Sequence, residues 1–175
     1  MLGSRYTNYS KSSRRSEPSK QGFFKAEIHW PTKSNAKKDI PKKYDLMIIL
    51  SGPEPQRGIL EEKLKTEVLR FKGNVVFIKG VIQADQVKEQ IDTICYYNFM
   101  NSRQLEQTFN ESDIVLCRSG YTTIMDLAKL NKKAFFIPTP GQYEQIYLAK
   151  KLKKEGLVPY ADQDSFIIEN LSEVA

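Results

Sequence analysis

Residues 113–149, DIVLCRSGYTTIMDLAKLNKKAFFIPTPGQYEQIYLA, restrict the possible folds more than any other stretch, because they run twice through strand, small-residue turn and helix. Residues 114–117 (IVLC) form a short, continuously apolar run rich in β-branched residues, which is how a strand covered on both faces reads. Arg118, Ser119 and Gly120 break it, and helical spacing resumes with Ile124, Leu127 and Ala128 on one face. Residues 134–137 (AFFI), the turn 138–141 and a helix over 144–155 repeat the arrangement. Each turn stands where a strand's carboxyl end meets a helix's amino end. Parallel α/β sheets bind ligands at such junctions.

The residue types at these turns indicate what kind of ligand. The first backbone N–H groups of a helix have no intrahelical partner, so the RSG turn offers free donors and a positive helix end to an anion. Ser119 and Gly120 let the anion approach the backbone closely. Asp126, about one turn into the helix, could accept hydrogen bonds from a diol such as a ribose. The second turn leads into Gln142, Glu144 and Gln145, amide and carboxylate groups suited to hydroxyl-rich ligands. Phosphate at one turn and hydroxyls at the other suggest a sugar nucleotide. Arg118 has two readings, a direct ligand contact or a salt bridge that supports the turn.

The rest of the chain supplies the partners of these strands. Residues 45–50 (DLMIIL) predict a strand ended by Ser51, Gly52 and Pro53, and 55–71 an amphipathic helix with Leu60, Leu64, Val68 and Phe71 on one stripe. Ser51 and Gly52 form another candidate phosphate turn, to which Gln56 or Arg57 could add donors. Residues 74–79 (NVVFIK) predict a strand, 83–90 a loop or short helix, and 93–98 (TICYYN) a further strand. Phe99, Met100 and Asn101 then follow that strand into the same crevice. A short helix over 103–110, an edge strand over 157–160 and a closing helix over 166–174 complete the expectation. The fold class is α/β: a single Rossmann-like domain with a mostly parallel sheet flanked by helices.

The formal charge of +6 suggests nucleic acid until its location is considered. Residues 1–44 hold 11 Lys and Arg against 3 Asp and Glu, and the remainder holds 16 against 18. The basicity belongs to residues 1–43, read as a linker or arm, and a slightly acidic remainder has no electrostatic footprint for a nucleic-acid groove. His29, the only histidine, lies in the run 23–30 (FFKAEIHW) and reads as a surface or packing residue. Cys95 and Cys117 fall in strand-like runs outside any metal spacing and read as buried free thiols in a reducing cytoplasm. No segment approaches the ~20 apolar residues a membrane span needs, and the start lacks the apolar core of a signal peptide. GxGxxG, GxxxxGK[ST] and GxSxG are absent, which argues against a dinucleotide enzyme, a P-loop NTPase and a nucleophile-elbow hydrolase. No metal site is expected and no tightly bound cofactor, with a loosely held Mg2+ left open.

From about residue 44 onward the chain resembles the carboxyl-terminal, donor-binding domain of GT-B glycosyltransferases of the MurG-like group, glycosyltransferase family 28. CRSGYTTIMD matches that group's C-R-S-G-x-x-T-x-x-E run, with Asp126 for Glu. PGQYEQIYLA matches its turn ending in Q-x-x-N-A, with Leu148 for Asn. The resemblance implies that backbone groups of Tyr121, Thr122 and Thr123 hold a diphosphate and that Asp126 binds ribose hydroxyls. It implies that Gln145 and Glu144 hold sugar hydroxyls and that the Met100 backbone reads uracil. It also implies that Arg5, in an interdomain-like GSR segment, approaches a phosphate.

The function implied is the donor half of an inverting glycosyltransferase, a hexosyltransferase, using a UDP-sugar such as UDP-GlcNAc. Its partners would be that UDP-sugar and a separate acceptor-binding domain or subunit carrying the general base, so this chain alone would turn over little and holds no catalytic residue. The expected location is the cytoplasm, peripheral to an anionic membrane surface reached through basic segments. Two readings from other classes stay open: a sugar-nucleotide-binding or epimerase-like relative that transfers nothing, and a nucleic-acid module driven by the basic arm.

Overall fold

The structure is a computed structural model that describes residues 41–174. Arg5, His29 and the run 23–30 lie outside the described residues, as does most of the basic arm.

Six strands form one sheet. They are β1 (Tyr44–Ile49), β2 (Val75–Ile78), β3 (Lys88–Ile91), β4 (Ile94–Tyr97), β5 (Ser112–Cys117) and β6 (Lys133–Phe136). The order across the sheet is β3-β4-β2-β1-β5-β6, and every pairing is parallel except β3 with β4. Helices α1 (Gln56–Val68), α2 (Ser102–Glu111), α3 (Tyr121–Lys129) and α4 (Tyr143–Lys154) connect or follow the parallel strands.

Strand alternation sorts the apolar side chains to two faces. Leu46, Ile48, Val75, Phe77 and Leu116 pack with Leu60, Leu64 and Val68 of α1 and with Phe166, Ile168 and Leu171 of the closing segment. Met47, Val76, Val115 and Cys117 pack on the other face with Phe109 of α2, Ile124 and Leu127 of α3, and Leu148 and Leu152 of α4. Both faces are therefore covered, which is why these strands are apolar without alternation. Cys95 and Cys117 are buried free thiols, and burial pushes the Cys117 thiol well up.

The helix on one side of β1 and the helices beyond β5 cover opposite faces. The winding consequently reverses between these two adjacent strands, and the crevice outside their carboxyl ends is the topological switch point. The turns after β1 and after β5 both open there.

Four expectations differ from the structure. The predicted loop or short helix over 83–90 ends in β3, which pairs antiparallel with β4 around the two-residue loop Asp92-Thr93, Asp92 having φ +50°. All four β3 residues are exposed, so no face is selected and its sequence, KEQI, lacks a strand pattern. The edge strand over 157–160 reduces to one bridge, Phe136 with Tyr160, and the closing helix is a 3-10 helix, Ile168–Glu173. Helix α2 begins at Ser102 rather than 103 because Asn101 and Gln104 form a capping box. Asn101 Oδ1 accepts from Gln104 N at 2.9 Å, and Gln104 Oε1 accepts from Asn101 N at 3.0 Å. Residues 41–43 run beside the start of β5, where Lys43 N donates to Glu111 O and Lys42 Nζ to Ser112 O. Among the described residues no helix is long and apolar enough to cross a membrane.

Candidate functional site

The turns after β1, β5 and β6, and the segment leading from β4 into α2, lie along the carboxyl edge of the sheet. Helix α3 starts directly after the β5 turn. Its N-cap, Gly120, supplies no side-chain cap, and the first helical bond there runs from Ile124 N to Gly120 O. The N–H groups of Tyr121, Thr122 and Thr123 thus have no intrahelical acceptor, and Tyr121 and Thr122 are exposed while Thr123 is half-buried. Uncapped donors at a positive helix end form an anion-binding arrangement.

Asp126 lies on the exposed side of α3. With Lys129 and Leu130 of α3 and Ser102, Leu105, Glu106 and Phe109 of α2 it lines a cleft of about 370 Å³. The cleft combines the apolar side chains of Leu105, Phe109 and Leu130 with two carboxylates, an ammonium and a hydroxyl. Met100 stands just before α2, half-buried against the core, with its Sδ accepting from Thr108 Oγ1 at 3.5 Å. Its side chain is packing, which leaves only its backbone for the role suggested by the resemblance.

Arg118 and Ser119 are turned inward. Arg118 is 2% exposed. Its Nη1 donates to Ile137 O and Pro138 O, both at 3.1 Å, and its Nη2 to Gln56 O at 3.0 Å and Gln163 Oε1 at 2.7 Å. Gln163 Nε2 in turn donates to Gln56 Oε1 at 3.1 Å. Of its two readings, support of the turns is the one these bonds describe, through carbonyl oxygens rather than a salt bridge. Burial pushes its pKa down to about 10, which still leaves the guanidinium charged at neutral pH. Ser119 is fully buried, and its Oγ donates to Gln145 O at 2.8 Å, tying the β5 turn to α4.

Gln145 is half-buried, and its Oε1 accepts from Thr139 N at 2.9 Å. That bond leaves the Gln145 Nε2 to donate outward. Glu144 is exposed in the first turn of α4, next to Tyr143, which is 87% exposed. Ser51 and Gly52 are exposed in the β1 turn, with Gly52 at φ +103°. Arg57 is largely committed elsewhere. Its guanidinium is engaged by Glu54, by Glu61 Oε2 at 2.6 Å and by Lys79 O at 3.0 Å.

The structure brings the β1, β5 and β6 turns together around Arg118, and it places Asp126 about one turn along α3, on the α2–α3 cleft. Sequence reasoning missed Ser102, Glu106 and Lys129 of that cleft, and also Thr139 and Gln163. A polar residue at a helix start or on a solvent-facing stripe carries no signal of what another helix places opposite it. Among the described residues no group of three His, Cys, Asp or Glu side chains could hold a metal ion.

Comparison with known proteins bears on the family and the fold. A curated relative from Haemophilus ducreyi, UDP-N-acetylglucosamine--N-acetylmuramyl-(pentapeptide) pyrophosphoryl-undecaprenol N-acetylglucosamine transferase, is 29% identical over 138 residues, covering 75% of this chain and 38% of the relative. The crystal structure of Acinetobacter baumannii MurG superimposes with a TM-score of 0.54 at 21% identity, covering 77% of this chain and 40% of that one. The glycotransferase of kitacinnamycin superimposes with a TM-score of 0.55 at 12% identity, covering 81% of this chain and 36% of that one. These two likenesses show the fold, a Rossmann-like half of the GT-B type. The chain spans about two-fifths of the length of these relatives. The glycosyltransferase family 28 C-terminal domain matches residues 54–175, and the chain belongs to that family.

Proposed function

We propose that this chain is the donor-binding half of an inverting glycosyltransferase and that its donor is a UDP-sugar of the UDP-GlcNAc kind. The observation that carries the reading is the pairing of an uncapped α3 start with a cleft that holds Asp126 one turn away. A nucleoside diphosphate needs those two features side by side: donors for its phosphates, and a carboxylate for its ribose hydroxyls. The Haemophilus ducreyi relative is named for transfer of N-acetylglucosamine from its UDP conjugate, which supports the same donor class.

In this reading the N–H groups of Tyr121, Thr122 and Thr123 hold the diphosphate. Charge accumulates on the departing UDP as the glycosidic bond breaks, and fixed donors at a helix start stabilise it without reorganising. Asp126 orients the ribose, the Met100 backbone borders the base, and Gln145 with Glu144 faces the sugar. Ser51 and Gly52 complete the wall on the β1 side. Arg118 positions the turns, and Arg5 is kept as a phosphate contact from outside the described residues. The acceptor hydroxyl and the base that deprotonates it belong in this reading to a further domain or subunit, as the family resemblance implies. The lipid-linked acceptor in the relative's name supports a position peripheral to a membrane surface.

Calorimetric titration with UDP, UDP-GlcNAc, UDP-Gal, GDP-mannose and NAD tests the reading. Uridine-selective binding is expected, and at a hundredfold excess over Kd it stabilises the fold by about 2.7 kcal/mol. Asp126→Ala removes a carboxylate that accepts two hydroxyl bonds and weakens UDP about tenfold or more. A well-folded chain that binds none of the five ligands would sink the proposal.

A further inference from the structure

Buried polar side-chain atoms without a partner are rare in folded proteins, and each one needs a reason. Among the described residues two such atoms occur, Arg118 Nε and Thr139 Oγ1. Both belong to the turns of the site, one after β5 and one after β6. The rest of the described core has matched its polar side chains, so the exceptions are concentrated where a ligand is expected.

Thr139 is 3% exposed. Its main chain is satisfied: the N–H donates to Gln145 Oε1 at 2.9 Å, and the C=O accepts from Gln142 N at 3.0 Å. Only the hydroxyl is idle. It sits beside the β1 turn, where a Cβ on Gly52 would stand 4.0 Å from it. At φ +103°, Gly52 has a conformation that residues with side chains rarely adopt, and Thr139 Oγ1 is the one atom beyond its chain neighbours within 4 Å of a Cβ built there, so the β1 and β6 turns meet at this hydroxyl. A hydroxyl removed from water without a partner is destabilising, and among the described residues the fold tolerates such atoms only at these site turns.

We infer that the Thr139 hydroxyl hydrogen-bonds a hydroxyl of the donor sugar, which makes Thr139 a specificity-determining residue; the inference rests on the sugar-nucleotide reading above. The nucleoside is assigned to the α2–α3 cleft and the diphosphate to the α3 start after β5. Thr139 follows β6, the next strand along the edge, so the group left to meet it is the sugar. Gln145 strengthens the assignment. Its Oε1 is held by Thr139 N, which leaves an amide donor beside a hydroxyl that can both donate and accept, a pairing suited to adjacent sugar hydroxyls.

Thr139→Val keeps the shape and removes the hydroxyl, and Thr139→Ser keeps the hydroxyl. Each is titrated calorimetrically with UDP and with whichever of UDP-GlcNAc, UDP-Glc and UDP-Gal the unaltered chain binds most tightly. The expected result for Thr139→Val is a loss of about tenfold in affinity for the UDP-hexose, with UDP unchanged within about twofold. Thr139→Ser restores the UDP-hexose. The melting temperature of Thr139→Val should equal or exceed that of the unaltered chain, because the change deletes an unpaired buried group. Equal weakening of UDP and UDP-hexose, no weakening of either, or a lower melting temperature in Thr139→Val overturns the inference while leaving the sugar-nucleotide reading in place. An unaltered chain that gives no heat with UDP overturns that reading, and this inference with it.

Discussion

Replacing Arg118 with alanine separates its two possible roles, because a ligand contact would alter binding alone whereas a support of the turns would alter stability. Its two terminal nitrogens make four hydrogen bonds of 2.7–3.1 Å to Gln56, Ile137, Pro138 and Gln163, residues from three separate parts of the chain. A hydrogen bond to a charged group contributes about 1.5–3 kcal/mol, so four would give about 6–12 kcal/mol if they added. Opposing them is the removal of a guanidinium from water, which costs several kcal/mol. The net loss expected for Arg118→Ala is about 3–4 kcal/mol, because it breaks a buried charged network and leaves buried acceptors such as Ile137 O and Gln163 Oε1 without their donor. For a domain of this size that lowers the melting temperature by about 10 °C. Arg118→Lys keeps the charge but offers one nitrogen where two are needed, and should recover less than half of the loss. Thermal and urea denaturation followed by circular dichroism measure both variants. An Arg118→Ala chain within about 1 kcal/mol of the unaltered protein refutes the argument and returns Arg118 to the ligand.

Other perturbations probe the scaffold. Burial alone would raise the Glu61 carboxyl, but Lys65 and Arg57 outweigh it and hold it below its ordinary value of 4.5, so its contribution is present above that value and is lost as pH falls through the lower folded one. Glu61→Gln should therefore destabilise by about 1 kcal/mol at pH 7, and denaturant titrations should show the gap closing in acid; a gap that persists there would contradict the sign. Asn101→Ala removes the capping box of α2 and should cost about 1 kcal/mol in urea unfolding, while Asn101→Asp should cost much less. A thiol reagent should leave Cys95 and Cys117 unmodified in the native protein and label both after denaturation, because both are buried and burial raises the Cys117 thiol. Rapid native labelling of either would mean that the sheet opens far more readily than its packing implies.

The five strands that pair in parallel were legible because burial on both faces leaves a local mark, a continuous apolar run such as DLMIIL, VVFI or IVLC. Strand β3 left none, since an exposed edge strand covers nothing and is specified by its partner β4 and the Asp92-Thr93 loop. The closing segment over 166–174 was read as a helix, yet Phe166, Ile168 and Leu171 need only reach one face of the sheet, and a 3-10 helix does that. At the site, the small-residue turns and Asp126 were visible as types at a spacing. The assignment of Arg118 was not, because its four acceptors lie up to 62 residues away and three of them are backbone carbonyls that any sequence would supply.

Sequence by itself determined the α/β class, the five parallel strands with the helices between them, the family, and the turns where strand ends meet helix starts. Those properties depend on periodicity and on residue type, and both are local. Tertiary structure alone decided that Arg118 and Ser119 face inward while Asp126 faces a cleft with α2, and that the Thr139 hydroxyl is buried without a partner beside Gly52. Whether a polar group is spent or available depends on what distant segments bring within about 3 Å of it, a distance that no spacing along the chain records.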